Sequence, residues 1–189
     1  MSIYTESQID KLFHSNHQRA IRKLAELPVY CGTEPDFGRL TGWVYEQTIQ
    51  YCIRQELEAR RVKADIKEHV SLRGRVKADL KVNGVAIEVK HNGLFGPGDA
   101  AKYQDYKKAA SAKGWAYLFI TGGESHRPYR TGITKALGRK NVFFLDTNGD
   151  WKRFVRRLEE LAGSPNITGL GYKQPTTTRK SRFSLSKAC

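Results

Sequence analysis

Asn83-Gly84, set between two runs of alternating apolar residues, narrows what this chain can fold into more than any other feature. The dipeptide favours a two-residue hairpin turn, because its central residues need positive φ. Such a turn pairs Val82 with Val85, Leu80 with Ile87 and Ala78 with Val89. On the opposite face it sets Asp79 across from Glu88, and Lys77 across from Lys90. Opposed Cβ atoms on paired strands lie ~4.5–5.5 Å apart, and like charges there destabilise the pair. A solvated strand face would leave both carboxylates in water. A shared hard cation, Mg²⁺ or Mn²⁺, removes their repulsion instead. The run Val85-Ala86-Ile87 with Val89 is too apolar for an edge strand and reads as the middle of a sheet. Glu88 and Lys90 then fall under a helix or in a cleft, where bare charge is costly unless it is used.

Around this hairpin the periodicity predicts an ordered series of elements. Helices are expected over residues 7–27, with Ser7 as cap, and 43–60, with a loop over 32–42 between them. Strands follow over 62–72, 75–82 and 85–90, then a helix over 99–113 and a strand over 115–121. A short helix over 129–137, a strand over 142–145 and a helix over 151–161 complete the set. The order predicts an α/β sandwich around a mixed sheet: an antiparallel meander, then strands reached by helical crossovers. Residues 62–67 and 76–81 share the pattern Val-Lys-Ala-Asp-Ile/Leu-Lys, which reads as common strand chemistry, since one recurrence of six residues is no solenoid.

Charge then narrows the partner. The chain carries 33 Lys and Arg against 19 Asp and Glu, a net charge of +14 with a pI of about 9.8. That is the electrostatic footprint of a nucleic-acid binder, shared with other basic proteins. Lys173, Arg179, Lys180, Arg182 and Lys187 stand in residues 163–189 without one acid, among Pro, Gly, Ser and Thr. This segment reads either as a flexible arm adding phosphate affinity or as a solubilising tail. Without it the body remains basic. No apolar run is long enough to span a membrane, and three scattered cysteines form no disulfide framework, which points to a reducing, intracellular (cytoplasmic) setting.

At Asp79 and at Glu88-Val89-Lys90, each flanked by apolar residues, the chain resembles the PD-(D/E)XK nuclease superfamily, with its acid on one strand and acid-x-Lys on the next. Ala78 stands where the family name has Pro; Pro35-Asp36 is a decoy in the preceding loop. The resemblance covers less than half of the chain. It implies a restriction-endonuclease-like three-layer sandwich with a central mixed sheet over residues 41–162, preceded by a helix and loop (1–40) and followed by the basic tail (163–189). It implies one or two Mg²⁺ or Mn²⁺ ions held by Asp79, Glu88 and the Val89 carbonyl, with Lys90 orienting or deprotonating the attacking water. Many members add a Glu from the helix before the meander. Here Glu46 falls inside an apolar stripe of Tyr45, Ile49, Cys52, Ile53 and Leu57. Glu46 is alternatively an exposed acid near a helix start. Glu56, also on the stripe, is the fallback, and otherwise reads with Glu58 as a helix-surface acid. Gln104 matches a Gln that some branches carry on the next helix, and is otherwise solvent-facing.

Flanking cations, Arg73, Arg75, Lys77, Lys102, Lys107, Arg127 and Arg130, supply the counter-field for DNA phosphates. His91, just past Lys90, reads as a loop residue on the other face. The implied activity is metal-dependent hydrolysis of DNA phosphodiesters by an endonuclease of restriction, homing or junction-resolving type, from a phage, virus or mobile element and acting as a homodimer. The alternative is a non-catalytic nucleic-acid-binding protein of similar fold. Cys31, Cys52 and Cys189 lack paired ligand spacing, Ser125-His126 is no nucleophile dyad, and Gly122-Gly123 lacks the Lys-Ser/Thr of a phosphate loop.

Overall fold

The computed structural model describes residues 2–25, 37–91, 96–122 and 127–163; the arm past Gly163, Cys31, Cys189, Pro35-Asp36 and Ser125-His126 lie outside them. Two helices lead, α1 (Glu6–Ala25) and α2 (Phe37–Ala59). Strands β1 (Ile66–Arg73), β2 (Val76–Val82) and β3 (Val85–Lys90) follow, then helix α3 (Pro97–Ser111) and strand β4 (Ala116–Thr121). Helix α4 (Arg127–Leu137), strand β5 (Val142–Phe144) and helix α5 (Asp150–Ala162) end the described chain. The strands form one five-stranded sheet in sequence order, β1–β2–β3 antiparallel and β3–β4–β5 parallel. The expected order and mixed sheet are thus present, with β3 at the centre. Among the described residues, no helix is long and apolar enough to cross a membrane.

The sheet lies between two helical layers. Ile9 and Phe13 of α1, Ile49, Ile53 and Leu57 of α2, and Trp151, Phe154 and Leu158 of α5 pack with Leu80, Val82, Val85, Ile87 and Val89. On the other face Tyr103 and Ala110 of α3 and Ile133 and Leu137 of α4 meet Ala78, Ala86, Tyr117 and Phe119. Burial on both faces explains why β3 reads as one unbroken apolar run apart from Glu88.

Every helix starts ahead of expectation, α2 by the most, and for α1 and α2 the contacts responsible are plain. Helix α1 is capped by Thr5: its amide donates to Gln8 Oε1 at 2.8 Å, and the Gln8 amide donates to Thr5 Oγ1 at 3.3 Å. This reciprocal pair satisfies two end donors, so the helix begins ahead of Ser7. Residues 37–42, expected as loop, belong to α2. Two glycines there lower intrinsic propensity, but Leu40 packs on the core and Thr41 Oγ1 bonds His17 Nε2 of α1 at 2.9 Å. Tertiary contacts override the local preference.

At the outer edge, β5 is closed by side chains. The Phe144 amide donates to Asp150 Oδ2 at 2.8 Å, and Arg153 donates to the Val142 carbonyl at 2.7 Å. The hairpin tip is anchored as well. Asn83 takes a left-handed φ of 50° and donates through Nδ2 to the Ala162 carbonyl at 2.9 Å, while its Oδ1 accepts from the Asp65 amide at 2.8 Å.

Candidate active site

The hairpin pairs Val82–Val85, Lys81–Ala86 and Leu80–Ile87, as a two-residue turn requires. There the ladder ends, so the expected Ala78–Val89 and Asp79–Glu88 pairs do not form as ladder pairs. In their place the Val89 amide donates to Asp79 Oδ2 at 2.7 Å. The reason is a change of face. Leu80 and Val82 pack toward α2, yet Ala78, two residues earlier, packs toward α3. Strand β1 switches too, since Ile66 packs on the α2 side and Leu72 on the α3 side. The Glu68–Leu80 and Val70–Ala78 pairs hold register across the switch, which leaves His69, at φ 48°, opposite Asp79.

This crossing gathers acids from both layers. Glu46 reaches in from α2, its Oε1 lying 3.8 Å from His69 Nε2 and accepting from Gln50 Nε2 at 3.2 Å. One ligand atom each from Glu46, His69 and Asp79 lie within 4.8 Å of one another. On the α3 side Lys90 Nζ sits 2.7 Å from Glu88 Oε1 and 3.9 Å from Asp79 Oδ2. Glu88 is only 3% exposed, and its Oε2 has no hydrogen-bond partner among the described residues. The buried hydroxyls of Tyr117 and Thr121 are likewise without one. Both belong to β4, where they flank Phe119, the register partner of Glu88. An unsatisfied buried carboxylate oxygen is expensive, and a cation repairs that deficit directly. Of the expected acids, Glu46 and Asp79 lie close enough together, with His69, to fit a divalent ion, and Glu88 stands beside them outside that group. Val89 suits the same role through its carbonyl. Amide and carbonyl of one strand residue point to the same side, and its amide points at Asp79 where β2 has turned away.

Burial and mutual repulsion make these acids costly to ionise, and the nearby cations oppose that cost. Burial, then Asp79, pushes the Glu46 carboxyl up to about 7, with His69 and Lys90 opposing. Burial and then Asp79 push Glu88 up to about 7 against the pull of Lys90. Asp79 is raised by burial although Lys90 and the Val89 amide lower it. Burial pulls the Lys90 ammonium down, but Glu88 and Asp79 outweigh it and leave it raised.

Other expected residues divide. Gln104 is exposed on α3, whereas Lys102, Tyr103 and Tyr106 of that helix are the side chains coupled to the acids. Arg73, Arg75, Lys77 and Lys102 are exposed, the first three around the turn from β1 into β2. Lys107 donates to the Leu137 carbonyl at 3.0 Å and so caps α4, and Arg130 pairs with Asp146. The side chain of Arg127 lies outside the described ones. His91 turns to the other face, its ring 4.6 Å from Phe13 and 5.0 Å from Tyr45.

Glu56 is not a surface acid. It is 1% exposed, and its Oε1 accepts from Trp151 Nε1 at 3.0 Å and from the amides of Ile3 and Tyr4 at 2.9 and 3.1 Å. Ser2 Oγ donates to the same oxygen, and Arg60 lies 3.5 Å from Oε2. Its role is to lock the first residues and α5 onto α2.

His69 and Gln50 are the site residues that sequence reasoning misses. Gln50 has a visible signal, its i,i+4 spacing from Glu46. His69 sits in a strand among charges, and only the face switch brings it to Asp79. Comparison with protein-family models, curated proteins and solved structures finds no match to this chain.

Proposed function

We propose that this chain is a divalent-metal-dependent DNA endonuclease of the PD-(D/E)XK type, with a restriction-endonuclease-like fold. The observation that carries the reading is Glu88: a buried carboxylate with an unpartnered oxygen, beside Lys90 and Asp79. Asp79, Glu88 and Glu46 would hold Mg²⁺ or Mn²⁺, with the Val89 carbonyl as a further oxygen. Such an ion lowers the pKa of a bound water and offsets charge building on the phosphoryl oxygens. The chain's own groups do the rest. Lys90, kept as an ammonium by Glu88 and Asp79, donates to the attacking water or to a non-bridging oxygen rather than acting as base. Water adds to phosphorus and gives up a proton; the bond to the leaving oxygen breaks, and that oxygen gains one. Arg73, Arg75, Lys77 and Lys102 hold flanking phosphates. Acting on both strands of a duplex would favour a homodimer.

The test is incubation of supercoiled plasmid, single-stranded DNA and a four-way junction with Mg²⁺ or Mn²⁺, with and without chelator. Metal-dependent cutting that Lys90→Ala abolishes while DNA binding persists supports the reading. Salt-sensitive binding without any product favours a non-catalytic DNA-binding protein.

A further inference from the structure

The Glu46–His69–Asp79 cluster differs from an all-oxygen magnesium site by one atom type. Cis ligands on an octahedral ion with bonds of about 2.0–2.1 Å lie about 3 Å apart, and trans ligands about 4 Å apart. The three ligand atoms here, mutually within 4.8 Å, need only small side-chain rotations to reach that spacing. At 3.8 Å from Glu46 Oε1, the His69 ring makes no hydrogen bond to that oxygen. It is half exposed, while Glu46 and Asp79 are largely covered. The backbone at His69 holds a left-handed φ of 48°, a region uncommon for non-Gly residues but one that His, like Asn and Asp, enters more readily than most, and the paired strands on either side hold it there. A second observation lies next to the cluster: Lys90 joins Asp79 to the Glu88 carboxylate, which is 3% exposed and whose Oε2 has no partner among the described residues.

We infer that His69 is a metal ligand, so that Glu46, His69 and Asp79 form a two-carboxylate, one-imidazole position favouring a transition-metal ion such as Mn²⁺ or Co²⁺ over Mg²⁺. The inference rests on the metal-dependent centre proposed above and narrows its ion. Imidazole nitrogen is a softer donor than carboxylate oxygen, and affinity at such sites rises along the first-row series. Mg²⁺ prefers oxygen and retains its waters, so it gains little from the ring. A plain ion pair between His69 and the acids would show no such selectivity.

The experiment uses the full chain without DNA. Pulsed electron paramagnetic resonance of bound Mn²⁺ should show coupling to an imidazole ¹⁴N, and His69→Asn should remove it. Asn tolerates the left-handed backbone and keeps the fold. The same substitution should weaken Mn²⁺ and Co²⁺ binding at least about tenfold in calorimetry, with Mg²⁺ binding changed less than about threefold. Absence of nitrogen coupling in the parent chain, or Mn²⁺ affinity unchanged in His69→Asn, overturns the inference. DNA cutting is scored separately. Nitrogen-coupled Mn²⁺ on a chain that cuts nothing keeps the ligand assignment and removes the nuclease reading. Cutting without nitrogen coupling does the reverse.

Discussion

Asp79 Oδ2 accepts the backbone amide of Val89 at 2.7 Å, so one carboxylate both closes the gap between two parting strands and faces the acid cluster. The two duties separate by substitution. Asp79→Asn keeps an acceptor for Val89 and should stay within about 1 kcal/mol of the parent in urea unfolding, while Asp79→Ala orphans the amide and costs about 1–3 kcal/mol. Both should lose metal binding by calorimetry. Equal stability losses would refute the bridging role.

The acids also set a pH dependence. Glu46 and Glu88 are pushed up to about 7 from an ordinary value near 4.5, so the folded chain binds more protons than the unfolded one between those limits. Their contribution to stability is full below about 4.5 and lost as pH rises through about 7. In chelator, the stability these two acids control should therefore fall from pH 5 to 8, and Glu88→Gln should flatten the fall. Divalent ions replace the protons, so saturating Mn²⁺ should raise the melting temperature more at pH 8 than at pH 5. A chelated protein whose pH profile Glu88→Gln leaves unchanged counts against these environments.

Glu56 should affect stability alone. Glu56→Ala leaves Trp151 Nε1 and the amides of Ile3 and Tyr4 without their acceptor, while Arg60 keeps Glu159, so the loss should follow the about 1–3 kcal/mol of each orphaned buried donor. Metal affinity, measured below the melting transition, should be unchanged.

Gly122 follows β4 and donates its amide to the Lys90 carbonyl at 2.9 Å, and a Cβ there would overlap the hydroxyl end of the buried Tyr45 side chain. Gly122→Ala should destabilise by about 1–3 kcal/mol through overpacking. Tyr45→Phe removes a buried hydroxyl without a partner among the described residues and should be neutral or stabilising by about 1 kcal/mol. Denaturant midpoints of both variants check this.

Among the cations, Lys77→Ala and Lys102→Ala should each reduce the slope of log affinity for DNA against log salt by about 1. Lys107→Ala should instead lower stability, because its ammonium caps α4. Filter binding across a salt series, with thermal melts alongside, separates the two outcomes.

The sheet and the Glu88–Lys90 pair are legible in sequence because a two-residue turn fixes register and β3 has apolar residues on both sides of its acid. Asp79's real partner is not legible. Alternation predicts it facing Glu88, and only packing of Ala78 and Leu80 on different layers turns it toward the Val89 amide and His69. Glu56 misleads for a related reason: its chief partner, Trp151, lies 95 residues away, beyond any helical pattern. The start of α2 depends on α1, which no local propensity reports.

The closed edge at β5 has its own consequence. With the Val142 carbonyl and Phe144 amide already engaged by Arg153 and Asp150, that rim offers no template for a foreign strand. Two copies of this chain cannot join by merging their sheets there into one continuous sheet. Among the described residues, strand pairing between copies is left to β1, whose Lys67, Glu68 and left-handed His69 also discourage it. Among the described residues, any contact between copies is thus steered toward side-chain surfaces, where charge and shape select the partner and runaway polymerisation has no rail to follow.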